Sequence, residues 1–335
     1  MPLVAYSQLP AFATLRDEGF DVASVGQAAD IELPDLRIGL LNMMPDAALQ
    51  ATERQFLRLV AAYGSAANLY IHPFALSAEY RSEVATKHIE MHYASFAEVR
   101  ERDLQALIIT GANPITDDIT GEVFWDPLIE VIDWARSNVR STLCSCLATH
   151  AVLHEYFGIE RVELPQRQWG VYEHEVLDDE HPLLSHVTSP VSAPHSHRFA
   201  VSRQQMEQAG VTVLIASPEA GVHMAVSDDQ SGFVFFQGHP EYDSISLLKE
   251  YKREIQRFLT GNRTSYPPFP EHYLDKSAKA RLDAFQRQVT ESDFEQETLP
   301  AFPEDQLAAG LENTWSDVGR IIYRNWLEQI SDGVQ

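Results

Sequence analysis

Cysteine is nearly absent. The chain holds two in 335 residues, spaced two apart in Cys144-Ser145-Cys146. That excludes a disulfide framework and a cysteine-rich zinc site, and the spacing is not that of a C-x-x-C redox pair. Positive charge is scarce too. Lys and Arg number 25 against 49 Asp and Glu, a formal net charge of −24. With no basic run to offset it, such a chain repels phosphate backbones, and nucleic acid is not an expected partner. The acidity itself reads as solvated surface. No apolar run approaches the ~18 residues of a membrane span. The first twenty residues lack a basic start followed by an apolar block. Neither membrane nor secretion is therefore expected, and the cytoplasm is the default location. No G-x-G-x-x-G and no G-x-x-x-x-G-K-[ST] occurs, so dinucleotide and P-loop chemistry lack support. No metal is expected either. His150 and His154 are i, i+4 on one predicted helix but without the H-E-x-x-H pattern.

What is present is an ordinary globular composition, 44% apolar and 22% charged, enough to build a core. Short apolar runs at RIGLLNMMP (37–45), ANLYIHPF (67–74), LQALIIT (104–110) and STLCSC (141–146) read as buried strands. Between them lie amphipathic helical stretches. One places Leu49, Phe56, Leu59 and Val60 on a face and stops at Gly64. Another covers 124–138, and LATHAVLHEYF is stopped by Gly158. This alternation predicts an α/β fold, a parallel sheet flanked by helices on both faces. The second half is denser in β patterns (GVYEHEVL, VTVLIAS, GVHMAVSD, GFVFFQG) and reads as an appended antiparallel set. A long helix follows at about 244–260, then a Pro- and aromatic-rich stretch and further helices. The expected organisation is an irregular N-terminal arm over 1–35, a main domain over 36–262 with a β-rich insert, and a C-terminal extension over 263–335 that packs on it.

Two constellations could carry chemistry. Cys146 falls where a buried strand turns into a helix, the place of a nucleophile elbow. There the helix N-terminus favours a thiolate and can bind an oxyanion. The plainer alternative is that both cysteines are small buried hydrophobes. Cys144, inside the strand, is the packing residue under either reading. In GHPEYD (238–243), a strand ends and His239 and Glu241 follow with Pro240 between them. Spacing of two in extended chain puts both side chains on one side. A histidine that takes a thiol proton needs a carboxylate to hold its ring and tautomer. A surface loop containing a histidine is the alternative. TGANP (110–114) offers backbone N–H groups suited to an oxyanion, although the same residues make an ordinary turn. His195 and His197 could line a site or cap a loop.

Taken together, LLNMMP, ATERQFLRL, IITGANP, STLCSCLA, GVYEH, APHS, GHPEYD and the final RNWL resemble the homoserine O-acyltransferases in order and approximate spacing, over about residues 35–328. The resemblance implies a class I glutamine-amidotransferase-like fold. It also implies acyl transfer from acyl-CoA to the L-homoserine hydroxyl through a thioester on Cys146, opening methionine synthesis, with no cofactor beyond the acyl-CoA co-substrate. His239 is then the general base and acid, and Glu241 its orienting partner. Arg253 matches the arginine for the acceptor carboxylate, and Ser196 a substrate-site serine. Ala112 and Asn113 begin the oxyanion loop, with Leu147 as the other donor source. Arg167 replaces a family lysine, which keeps charge and changes geometry, and it is the candidate cation for a succinyl carboxylate. Ile115 falls at the position tied to acyl choice and brings no repelling charge, which leans the donor to succinyl over acetyl. The resemblance leaves open a homodimer, serine as acceptor, or a glutamine amidotransferase or Cys hydrolase. That last class normally carries G-x-C-x-G, which LCSCLA lacks.

Overall fold

The computed structural model describes residues 2–30, 33–62, 67–76, 81–229, 232–291 and 300–331. Its strands are β1 (Leu3–Ala5), β2 (Val22–Ser24), β3 (Asp35–Leu41), β4 (Asn68–Phe74), β5 (Ala106–Ile109), β6 (Ser141–Ser145), β7 (Val162–Val176), β8 (Val191–Ala200), β9 (Val211–Ser217), β10 (Gly221–Ser227) and β11 (Phe233–Phe236). They form one sheet of 11 strands in the order β2-β1-β4-β3-β5-β6-β11-β10-β9-β7-β8. From β2 to β11 every pairing is parallel, and from β11 to β8 every pairing is antiparallel.

The α/β class is as expected, and its cause is visible in strand parity. Along β5, Ile108 faces one core cluster while Leu107 and Ile109 face the other. A strand apolar on both sides must be covered on both sides. The helices Leu49–Ala61 and Ser316–Ser331 cover the first face through Phe56, Val60, Tyr323 and Trp326. The helices Trp125–Asn138 and Leu147–Phe157 cover the second through Leu128, Ile132, Val152 and Leu153. The helix Leu147–Phe157 stops at Gly158, whose φ of 63° is left-handed, as expected for a glycine C-cap. The stop expected at Gly64 lies outside the described residues. Among the described residues, no helix is long and apolar enough to cross a membrane.

Two expectations need correction. The stretch read as an irregular arm contributes β1 and β2, which extend the parallel sheet beyond β4, and its Leu3, Phe12 and Leu15 are buried in the main core. Each strand is only three residues long, too short for a periodic signal to declare itself. GFVFFQG, read with the appended antiparallel set, is β11 and runs parallel to β6, antiparallel only to β10. β11 pairs with β6 on one side and β10 on the other, so the set continues the same sheet. Toward the C-terminus, Leu282, Phe285, Leu307 and Trp315 pack with Leu247, Leu248, Tyr251 and Ile255 of the helix Ser246–Leu259 in a third cluster.

Candidate active site

Four neighbouring parallel strands deliver the motifs to one edge of the sheet. Register sets Leu41 of β3 against Ile109 of β5, Ile109 against Cys144 of β6, and Ser145 against Phe236 of β11. The residues just past these strand ends are therefore neighbours: Met43 and Met44, Gly111 and Ala112, Cys146, and Gly238 and His239. The carboxyl ends of parallel strands are where open α/β sheets form their sites.

Cys146 links β6 to the helix Leu147–Phe157 with φ 51° and ψ −106°. A non-glycine residue there is strained. The conformation is held by Cys146 N–H donating to the Phe236 carbonyl at 2.7 Å, and it leaves the side chain partly exposed above the sheet. The helix behind it begins at Leu147, so N–H groups without intrahelical partners start beside the sulfur. Cys144 is fully buried, and burial pushes its thiol pKa far up, so it stays an inert thiol.

His239 and Glu241 are both buried, and His239 Nδ1 lies 2.8 Å from Glu241 Oε1. Burial disfavours charge on the imidazole. The Glu241 carboxylate and a hydrogen bond with Cys146 outweigh it and hold the His239 pKa well above its ordinary value. The His239 N–H donates to the Pro194 carbonyl at 2.8 Å. Its ring stacks on Tyr242, with centroids 4.3 Å apart and planes inclined 16°. The sequence reading thus places Cys146, His239 and Glu241 together, and the structure does the same.

The other expected residues sort by side. A Cβ added to Gly111 would sit 3.4 Å from Cys146 Cβ and 3.9 Å from the Met44 sulfur, so Gly111 lies directly against the nucleophile. Ala112 and Asn113 follow it and, with Met43, Met44 and Phe124, line a cavity of about 830 Å³ that adjoins this side of Cys146. Ile115 is 91% exposed and does not line that cavity. Its N–H, like that of Thr116, donates to the Glu122 carboxylate.

On the His239 side, Arg167 and Ser196 meet at a residue the sequence reading missed. Glu250 Oε2 accepts from Arg167 Nη2 (2.7 Å), Ser196 Oγ (2.7 Å) and Trp169 Nε1 (3.0 Å), and Oε1 accepts from the Tyr242 hydroxyl (2.8 Å). A carboxylate with four donors ties this group to the ring stacked on His239. A signal was available, since Glu250 lies three residues before Arg253 on one helix and so shares its side. Arg253 is exposed on that helix and is not brought against Cys146 or His239.

Behind the catalytic loop lies a second feature with no sequence signature. His174 Nδ1 is 3.0 and 3.2 Å from the carbonyls of Tyr172 and Val191, so it must carry the proton. Its Nε2 then accepts from His195 Nε2–H at 3.0 Å, and His195 Nδ1 accepts from His197 Nε2–H at 3.0 Å. One set of tautomers satisfies both ring–ring bonds, and a proton added to His174 or His195 would set N–H against N–H. His195 and His223 press on the Gly238 backbone. A Cβ there would lie 2.5 Å from His223 Nδ1 and 2.9 Å from His195 Nε2, so only glycine fits beside His239. Among the described residues, the one group with metal-ligand spacing is Glu219, Glu271 and His272, all exposed.

Burial and mutual repulsion keep these histidines neutral. His197 falls to about 3, and His195 and His223 lie well below 6.5; His150, bonded to Gln237, falls to about 4. A depressed folded-state pKa contributes stability that is complete above the unfolded value near 6.5 and is lost as pH falls toward the folded value. Each such group costs about 1.4 kcal/mol per pH unit in that window. His239 has the opposite sign and keeps its contribution there. The thermal midpoint is therefore expected to fall between pH 7 and pH 5, even though a chain of charge −24 gains relief from self-repulsion over the same range. Thermal unfolding across that range checks it, and a flat or rising midpoint contradicts it.

The sequence profile of a family described as homoserine O-succinyltransferase matches residues 2–333. The chain is 48% identical over 330 residues to the homoserine O-succinyltransferase of Methylococcus capsulatus, covering 98% of this chain and 93% of that one. It is 51% identical over 327 residues to the one from Thiobacillus denitrificans, covering 98% and 92%. A solved glutamine amidotransferase from Thermotoga maritima aligns with 88% of this chain and 97% of its own, at 12% identity and a TM-score of 0.48.

Proposed function

The chain belongs to the homoserine O-succinyltransferase family, and on that premise we propose that it transfers the succinyl group of succinyl-CoA to the hydroxyl of L-homoserine through a thioester on Cys146, as the first step of methionine synthesis. The observation that carries the mechanism is the placement of Cys146 at a strained strand–helix turn, against a buried histidine that is itself held by a carboxylate. A thiol so placed is an activated nucleophile.

In the first half-reaction, His239 already holds the proton of the Cys146 thiol, and Sγ attacks the thioester carbonyl. Negative charge gathers on the carbonyl oxygen, for which the Leu147 amide at the helix start and the loop of Ala112 and Asn113 are the donor sources. The tetrahedral adduct collapses, the CoA sulfur leaves, and it takes the proton from His239. In the second, the homoserine hydroxyl attacks the succinyl-Cys146 carbonyl. His239 removes the hydroxyl proton and returns it to the departing Cys146 sulfur. Atoms and protons balance across the two halves, and no cofactor beyond the donor is called for. Glu241 stabilises the imidazolium that appears in both.

The two sides of Cys146 divide the substrates. The Met44–Asn113 cavity, with its largely apolar wall, suits the acyl arm of the donor. The Arg167–Ser196–Glu250 group beside Tyr242 forms the acceptor side, with Arg253 one turn beyond Glu250 to pair the amino-acid carboxylate as a fork. The test is product formation from succinyl-CoA or acetyl-CoA with homoserine or serine. O-succinylhomoserine is expected as the main product, and a preference for acetyl-CoA or for serine overturns the assignment.

A further inference from the structure

The apolar cavity beside Cys146 has a charged spot on its wall. Met44, Leu76 and Phe124 are among its apolar lining residues, while Asp46, Arg81 and Asn113 are polar. Among the described residues that line it, Arg81 is the one cation. Its side chain is 12% exposed, and its Nη1 donates to the Met44 carbonyl at 3.0 Å and to Asp46 Oδ1 at 3.2 Å. Asp46 is fixed in turn by the Ser82 N–H, 2.6 Å from its other oxygen. Ser82 caps the helix Glu83–His92 by accepting from the Ala85 N–H. The guanidinium thus lies just before the capped start of the helix Glu83–His92 and is held to the Met43–Ala47 turn, which carries no cation itself.

Two residues, Met44 and Gly111, separate this charge from Cys146. Met44 bonds Arg81 through its carbonyl, while its sulfur lies near the vacant Cβ place of Gly111, which abuts Cys146. We infer that Arg81 anchors the carboxylate at the far end of the donor's acyl chain and so selects a four-carbon diacid over a neutral acyl group; this deepens the succinyl-donor reading above and rests on it. Both recorded bonds of Arg81 use Nη1, and a guanidinium carries five N–H donors in a planar fork suited to a carboxylate. Apolar walls around it strengthen the pairing and leave a neutral acyl group with nothing to gain there. The other cations near the site are placed differently. Arg167 Nη2 is committed to Glu250 and Ser196 on the acceptor side, and Arg161 bonds the Asp117 carbonyl beyond Ile115; neither lines the cavity.

Acylation of Cys146 should be followed by intact mass, in single turnovers and without acceptor, using succinyl-CoA, butyryl-CoA and acetyl-CoA. Butyryl has the same four carbons without the carboxylate. Arg81→Gln is expected to lower the rate constant per donor concentration about 10²-fold for succinyl-CoA and to leave both neutral donors near wild type. Asp46→Asn removes the competing carboxylate and keeps Arg81, so succinyl-CoA should react at least as well as in wild type. Equal loss with all three donors in Arg81→Gln overturns the inference, because it moves the charge to the CoA phosphates. A matching loss with all three in Asp46→Asn overturns it too, because the pair is then a loop brace. Unchanged succinyl transfer in Arg81→Gln likewise contradicts it. If the wild type reacts with acetyl-CoA and not succinyl-CoA, the donor reading itself fails, before any variant is made, and this inference falls with it.

Discussion

Cys146→Ser is expected to lower turnover by about 10⁴-fold or more and to abolish acyl capture, the scale seen when a nucleophile that acts as part of a unit is removed. A serine hydroxyl is far less ionised than a thiol near neutral pH, and a histidine tuned to share a proton with sulfur cannot replace that difference. Cys144→Ser is the control. That thiol is fully buried inside β6 and its pKa is pushed up by burial, so its loss is a packing change with no effect on the reacting group. Steady-state rates for both variants, with circular dichroism to confirm folding, decide it. Comparable loss in the two would mean that the strand, rather than the Cys146 sulfur, is what matters.

His239→Ala is expected to cost 10²–10⁴-fold in kcat/KM, the usual contribution of a positioned acid–base group. Glu241→Gln should cost less, since it keeps the shape and the contact with Nδ1 while losing the charge. It should also leave a signature in pH. Glu241 is the main group raising the His239 pKa against burial, so without its charge the imidazolium loses its proton at lower pH. The alkaline limb of the kcat/KM profile for the donor should then move toward neutrality. An unmoved limb would make Glu241 a packing residue and remove it from the mechanism.

The sheet and the reacting groups were legible for a common reason. Apolar strands in a doubly covered sheet are continuous runs, and the turn residues that end them are short and distinctive, so β3, β5, β6 and β11 and the motifs at their ends could be read together. Motif pairs far apart in sequence also turn out to be joined. Arg58 of ATERQFLRL pairs with Asp243 of GHPEYD, and Gln55 donates to Ser246 at 3.0 Å, so part of what makes these motifs recognisable is structural. The short strands β1 and β2 were not legible, because three residues carry no period. Glu250 was hidden as one acid among 49 Asp and Glu. The histidine chain was hidden because His174, His195 and His223 lie on three strands, β7, β8 and β10, and only pairing brings them together. Gly111 was overlooked in favour of its neighbours Ala112 and Asn113, since proximity to Cys146 depends on how two loops converge and not on residue type. Arg81 lies just before a helix start that the periodicity did not reveal, because the helix Glu83–His92 buries only Ala85 and His88.

The central claim is a covalent acyl-enzyme on Cys146, and intact-mass measurement after mixing with succinyl-CoA in the absence of acceptor tests it most directly. The expected result is a mass increase of one succinyl group, mapped to the peptide containing Cys146, absent in Cys146→Ser and discharged on adding homoserine. Turnover to product with no trapped adduct in wild type, or an adduct mapped to Cys144, would contradict it.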